Sequence, residues 1–224
     1  MVEMKIKEKF EGVFLIDNKI ATINLVPRKK VYGEELIRIR NVEYRIWDCW
    51  RSKPAAAIKK NIKSFPIKKS IKILYLGVAS GTTCSHFSDI IGSTGIIYGI
   101  DIAERVLRDL IDVANKRGNI IPILADARKP ENYEGMILDK IDLVYCDVAS
   151  PDQIELFIRN CKKFLKPKGY AMIAVKSRSI DVTKPPEKIY KETKEKLQKD
   201  FEILDFVTLD PYEKDHGFFI CRMK

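Results

Sequence analysis

From residue 71 onward, five short apolar segments recur: IKILYL (71–76), GIIYGI (95–100), NIIPIL (119–124), KIDLVYC (140–146) and YAMIAVK (170–176). Between and after them lie stretches of helical character, from the first Gly-rich loop to about residue 91, over 103–117, over about 152–165 and, strongly charged, over 186–200. Strands this short and this apolar are buried on both faces. Their alternation with helices implies a mostly parallel sheet covered on each side, an α/β fold. FEILDFVTL (201–209) and GFFICRM (217–223) read as a closing hairpin that sets one C-terminal antiparallel strand into that sheet.

The preceding residues obey a different rule. KIKEKFEGVFLIDNKIATINLV (5–26) alternates loosely in polarity around the turn signals Glu11-Gly12 and Asp17-Asn18. VYGEELIRIRNVEYRIW (31–47) continues with Ile37, Ile39, Tyr44 and Trp47. Residues 1–50 are therefore expected to form a small β-rich N-terminal unit, and residues 51–224 the larger α/β domain. At the junction, RSKPAAAIKKNIKSFPIKKSIK (51–72) holds eight Lys or Arg and no acid. Its 55–62 portion is expected to be helical, with Pro54 at an early helical position and Pro66 ending the segment. The competing reading of such a run is a solvated face. The absence of any acid, together with a net charge of +10, favours contact with phosphates. The candidate contacts are Arg51, Lys53, Lys59, Lys60 and Lys63.

Five cysteines, Cys49, Cys84, Cys146, Cys161 and Cys221, form no C-x-x-C pair, and the two histidines complete no zinc pattern. No metal is expected. An odd cysteine count fits a reducing compartment rather than a disulfide framework. MVEMKIKEKF (1–10) carries charges throughout and no apolar core, so no signal peptide is expected, and the expected location is the cytoplasm. The nearly uncharged stretch 73–100 contains five glycines, which reads as strand, loop, helix and strand, not as a membrane span.

In an open α/β sheet, ligands bind beyond the carboxyl ends of the strands. After the first strand comes GVASGTT (77–83), whose glycines admit a ligand close to the backbone and whose Thr82 and Thr83 open a helix. Its G-x-x-x-G spacing differs from the dinucleotide fingerprint and disfavours a pyrophosphate. The next three strands end at Asp101, Asp126 and Asp147. Asp101, 24 residues after Gly77, is placed to bind ribose hydroxyls, and Asp126 an adenine amino group. A lone Asp at a strand end is more simply a helix cap; three in succession point to an adenosine-bearing, cationic ligand such as S-adenosylmethionine (SAM). LKPKGY (165–170) resembles the turn before strand five of Rossmann-like methyltransferases.

Taken in order, LYLGVASGTTCSHFSDI, NIIPILADARKP, DVASPDQ and DPYEKDH resemble the fibrillarin family, the methyltransferases of box C/D guide RNA–protein particles. The similarity runs from about Val31 to the C-terminus, while the N-terminal unit matches in character only. The resemblance implies a Rossmann-like SAM-dependent fold and 2′-O-methylation of rRNA and tRNA riboses. It places SAM contacts on Thr82, Thr83, Asp101, Ile102, Asp126, Ala127 and Asp147, with Gly77 and Ala79 around the methionine and Val148, Ala149 and Ser150 beyond Asp147. The family's Lys-Asp-Lys-His set falls on Lys53, Asp147, Lys176 and His216. Two departures stand out: Ser150 replaces a common Gln, and Asp48-Cys49-Trp50 precedes Arg51 where an Asn- or aromatic-containing run is common. The Gly/Arg-rich extension of nuclear members is absent, as in archaeal ones. Implied partners are guide RNA with its rRNA or tRNA target, a Nop-type scaffold and a kink-turn-binding ribosomal-type protein, with no membrane.

Methyl transfer to a ribose hydroxyl needs alignment and a proton acceptor. Lys176 is the candidate acceptor, Asp147 the group that orients it, and Lys53 and His216 the groups that position the nucleotide. The competing functions are a non-catalytic RNA-binding subunit, a small-molecule O-methyltransferase and a nicotinamide oxidoreductase. Trp47, Trp50 and Tyr75 are expected in the core or at an interface, and His86 in packing or on the surface.

Overall fold

The computed structural model describes residues 5–224. The part of the N-terminal reading that falls on residues 1–4 lies outside them. Five strands, β1 (Ile6–Phe10), β2 (Val13–Ile16), β3 (Lys19–Ile23), β4 (Leu36–Ile39) and β5 (Val42–Ile46), form an antiparallel sheet of order β1-β2-β3-β5-β4. The β2–β3 hairpin turns at Asp17 and Asn18, both at positive φ, the backbone that lets two strands with native twist meet in two residues.

After helix α1 (Lys53–Lys59) the chain builds β6 (Lys72–Leu76), α2 (Thr82–Ile91), β7 (Ile96–Asp101), α3 (Glu104–Arg117), β8 (Ile120–Leu124), β9 (Ile141–Cys146), α4 (Gln153–Phe164) and β10 (Leu165–Lys176). It ends with α5 (Ser177–Ile180), α6 (Pro186–Leu197), β11 (Phe201–Thr208) and β12 (His216–Met223). The seven-stranded sheet runs β11-β12-β10-β9-β6-β7-β8, and β12 is antiparallel to both its neighbours. From β6 the chain winds outward through β7 and β8, then crosses back to β9 on the other side of β6. The switch point of the sheet is therefore the gap between the ends of β6 and β9.

Alternate residues of the central strands feed two cores. Ile73, Tyr75, Ile97, Leu143 and Tyr145 pack on the face with α1, α2 and α3. Leu74, Leu76, Tyr98, Ile100, Val144 and Cys146 pack on the face with α4 and α6. This period of two, with both faces buried, is the physical content of the apolar runs. Two expectations shift in detail, and one element is added. Helix α1 starts earlier and ends at Lys59, because Asn61 takes a positive φ. The 165–170 turn belongs to β10, whose pairing with β9 is interrupted between Leu165 and Tyr170. A short helix, α5, follows β10.

The N-terminal sheet docks on α2 through a buried polar cluster. Asp89 accepts from Arg45 Nη1 at 2.8 Å, Thr22 Oγ1 at 2.7 Å, the Leu25 N–H at 2.9 Å, and Arg117. Arg45 also donates to Glu34 at 2.7 Å and to Ser85 Oγ at 2.9 Å. Thr22 gives its one hydroxyl proton to Asp89, so the His86 Nδ1–H donates to Thr22, and Nε2 accepts from the Tyr32 hydroxyl at 2.7 Å. Burial and the charges of Arg45 and Arg117 hold the His86 imidazole well below its ordinary range, which keeps it neutral. Trp47 stacks on that ring at 4.9 Å. His86, Trp47 and Tyr75 are thus packing residues. Trp50, by contrast, is 60% exposed, because the chain leaves the sheet at Trp47 and carries the next residues over the surface.

Asp89→Asn leaves the buried Arg117 guanidinium without its counter-charge and Arg45 with Glu34 alone. It is expected to lower stability by about 3–5 kcal/mol, read as a fall in the midpoint of thermal or denaturant unfolding.

Candidate active site

The switch point opens into a cavity of about 500 Å³ lined by Gly77, Ala79, Asp101, Ile102, Asp126, Ala127, Asp147, Val148, Ala149 and Ser150, among others. Each enters from the loop after a parallel strand. Gly77 follows β6 at φ +78°, and a Cβ there would meet the backbone carbon and oxygen of Asp147 at 3.0 Å. Only glycine allows the ends of β6 and β9 to lie this close while the loop turns away from them.

Asp101, ending β7, accepts from the Ala79 N–H at 2.8 Å through one oxygen and from the Ala103 N–H at 2.9 Å through the other. It therefore fixes the first loop and the chain entering α3 without capping that helix, whose N-cap is Ala103, and it borders the cavity. Asp126 receives Arg128 through Nε and Nη2, and that side-chain hydrogen bond holds its carboxyl below the ordinary carboxylate range. Ile102 is 65% exposed at the cavity rim, with Ala127 and Leu156 deeper in. The result is a slot with an apolar wall and anionic ends. That donor set fits a ligand carrying a ribose, a flat ring and positive charge. Thr82 and Thr83 stand apart from it: Thr82 lines a neighbouring pocket, and the buried Thr83 hydroxyl shares a 2.9 Å hydrogen bond with Ser52.

Asp147, in the cavity wall, gathers Lys53 and Lys176, and His216 stands on the strand beside Lys176. Lys53 Nζ lies 3.2 Å from Asp147, from a residue 94 positions earlier in the chain. Lys176 Nζ lies 3.1 Å from the same carboxylate and donates to the Asp147 carbonyl at 3.0 Å. His216 is the cross-strand partner of Lys176, and its Nδ1 bonds the Lys214 carbonyl at 2.7 Å. Glu213 lies 3.9 Å from both Lys53 and His216. Asp147 Oδ1 is buried and in ionic contact with both amines, yet receives no directed hydrogen bond. Beneath it, burial and the Asp147 charge push the Tyr75 and Tyr145 phenols well up, so both are neutral hydroxyls.

The basic run is half core and half surface. Ala55, Ala56, Ala57, Ile58, Ile62, Phe65 and Ile67 are buried, while Lys59, Lys60 and Lys63 remain outside. Lys59 and Lys60 rest on the carbonyls of Asn18 and Asp210, each at 2.8 Å. Arg51 lies over the Tyr32 ring at 5.1 Å. Gln153, which no expectation singled out, lies fully buried behind Lys176, and its only sequence signal is its place in DVASPDQ. Among the described residues, no group of three or more His, Cys, Asp or Glu is arranged to hold a metal ion.

Strand order and switch-point cavity give the chain a Rossmann-like fold, the fold also of a SAM-dependent methyltransferase of Aquifex aeolicus that is 20% identical, with a TM-score of 0.56 over 76% of this chain and 89% of that one. A family model described as Fibrillarin matches residues 4–224, and the chain belongs to the fibrillarin family. It is 52% identical, across 99% of both chains, to the fibrillarin-like rRNA/tRNA 2′-O-methyltransferase of Pyrococcus furiosus. The crystal structure of Aeropyrum pernix fibrillarin in complex with natively bound SAM is 46% identical, covering 99% of this chain and 100% of that one with a TM-score of 0.89. A fibrillarin from a crystal structure of a fibrillarin/Nop5p complex is 39% identical, covering 97% of this chain and 100% of that one with a TM-score of 0.90.

Proposed function

We propose that the protein transfers the methyl group of SAM to ribose 2′-hydroxyls of rRNA and tRNA. The observation that carries this reading is the meeting of two amines on one carboxylate at the edge of the switch-point cavity, with an imidazole on the neighbouring strand beside one of them. The name of the half-identical Pyrococcus relative and the SAM bound to the Aeropyrum homologue support it.

Bound SAM supplies an electrophilic methyl carbon. Asp101 would accept from its ribose hydroxyls and Asp126 from its adenine amino group, with Ile102 and Ala127 against the ring. Gly77 and Ala79 leave room for the methionine portion, and Val148, Ala149 and Ser150 form the opposite wall. The first-turn N–H groups at Thr82 and Thr83, whose side chains lie outside the cavity, would hold the methionine carboxylate. Asp147 orients the amines of Lys53 and Lys176. Lys176, having first given up a proton to solvent, takes up the 2′-hydroxyl proton as a neutral amine, while Lys53 and His216 hold the nucleotide in line with the methyl group. Fixing these groups on four separate elements makes alignment a large part of the acceleration, several kcal/mol in comparable intramolecular systems.

Arg51, Lys59, Lys60 and Lys63 would meet RNA phosphates, exchanging carbonyl partners for charged ones. Target choice would lie with base pairing to a box C/D guide RNA. Because a fibrillarin has been crystallised with Nop5p, a Nop-type scaffold is the natural partner, and a kink-turn-binding protein would anchor the guide. The unpaired cysteines fit a reducing cytoplasm.

The test is transfer of labelled methyl from SAM to target RNA in the assembled particle. Label should vanish when the target ribose is 2′-deoxy, and persistence would overturn the ribose assignment. Lys176→Ala is expected to slow transfer by about 10²–10⁴-fold with SAM affinity retained; undiminished methylation removes Lys176 from its role. Gly77→Ala, forced into positive φ against Asp147, is expected to weaken SAM binding about tenfold or more by calorimetry.

A further inference from the structure

Gln153 opens α4, is fully buried and takes no part in the roles assigned above. Its side-chain Nε2 donates to the carbonyl of Ala174 at 2.8 Å, and its Oε1 accepts from the N–H of Lys176 at 3.2 Å. These backbone groups flank Val175 on the last turn of extended chain before the site. There the sheet divides. Pairing of β10 with β9 stops at Ile173 opposite Cys146, whereas pairing with β12 continues to Lys176 opposite His216. Strand β9 meanwhile stays with β6 one residue longer, the Asp147 N–H donating to the Leu76 carbonyl at 2.9 Å.

In a parallel ladder, a neighbour residue opposite Val175 would donate its N–H to the Ala174 carbonyl and accept from the Lys176 N–H. The Gln153 carboxamide makes both bonds. We infer that Gln153 is a positioning residue for methyl transfer, its carboxamide replacing one residue of the strand that is missing beside the end of β10. With it in place, β9 turns away carrying Asp147 while β10 runs on to Lys176. The two diverging chains still meet, through the amine 3.1 Å from the Asp147 carboxylate. Without it, a buried carbonyl and a partly buried N–H lose their partners, and the end of β10 is free to move toward new ones. A lysine has four rotatable side-chain bonds, so the place of its backbone decides whether its amine is found in line.

The inference rests on the assignment of Lys176 as proton acceptor, and a double-mutant cycle separates the two. Gln153→Met, similar in length but without an amide, Lys176→Ala and the double variant are compared in the assembled particle by single-turnover rate, KM for RNA and SAM affinity. Gln153→Met should lower the rate roughly 10- to 100-fold while SAM affinity stays within about twofold. In the Lys176→Ala background it should cost almost nothing further, because the group it positions is gone. An equal fold loss in both backgrounds overturns the inference. Undiminished methylation by Lys176→Ala alone overturns the assignment beneath it, and is read from a different variant.

Should Gln153→Met fail to fold, Gln153→Glu decides. A protonated carboxyl reproduces both bonds, its O–H to Ala174 and its carbonyl oxygen from Lys176; a carboxylate lacks the donor. The rate relative to the unsubstituted protein should approach one at low pH and fall as pH rises. The titratable groups facing this position are Lys176, with Asp147 and Lys53 beyond it, Cys146 on β9 and Asp152 at the start of α4. All are common to both proteins, so the ratio isolates the substituted side chain. A ratio independent of pH overturns the inference.

Discussion

One buried carboxylate ties the two sheets of this protein together. Asp89, on α2, gathers Arg45 from the N-terminal sheet and Arg117 from the end of α3, along with Thr22 and the Leu25 backbone. Charges removed from water are tolerated only when their partners come with them, so the cluster has one satisfactory arrangement and many costly ones. That arrangement sets where the chain leaves β5, at Trp47 stacked on His86, and hence where residues 51–53 arrive. Ser52 then meets Thr83 at the start of α2, and Lys53 reaches Asp147 at the far side of the switch point. No residue of the N-terminal sheet lines the cavity, yet the sheet sets where Lys53 approaches Asp147.

The site itself is a consequence of how a parallel sheet ends. Between β6 and β9 the strands lie so close that Gly77 has no room for a side chain. Between β9 and β10 they part, and a buried amide fills the gap in the ladder. The cavity, the carboxylate of Asp147 and the amine of Lys176 all occupy the region where these two departures from regular pairing meet. Opposite, β12 runs antiparallel and brings His216 beside Lys176 with no loop between them. The backbones of these groups are held by strands on one side and by α1 on the other.

Much of this was legible in the residue pattern. Asp101, Asp126 and Asp147 stand out because each ends an apolar run, and in a doubly wound sheet such positions face a common crevice. The 51–72 run declared its charge but not its division, in which the apolar residues complete the core beneath α1 while the lysines stay outside. Asp89, Arg45 and Arg117 gave no sign of burial, since isolated charges on a strand or helix look alike whether they face water or each other. Trp50 reads as core by its chemistry and is exposed, because its neighbours Trp47 and Ser52 take the buried positions on either side. Gln153 could not be read as a strand surrogate before the register of β9 against β10 was known.

The sequence by itself therefore determined the alternation of strands and helices, the loop shape after β6 and the acids at the strand ends. These depend on periodicity and backbone preference within a few residues. Its resemblance to one family marked Lys53, Lys176 and His216 as belonging together without saying how they meet. Only the tertiary structure decided that the two lysines meet on one carboxylate with His216 beside them, that Asp89 locks the N-terminal sheet, and that an amide bonds the end of β10 where β9 has left it. Those outcomes rest on contacts between residues dozens of positions apart. Their energies depend on burial and mutual orientation, which appear only once both sheets have been laid against the same helix.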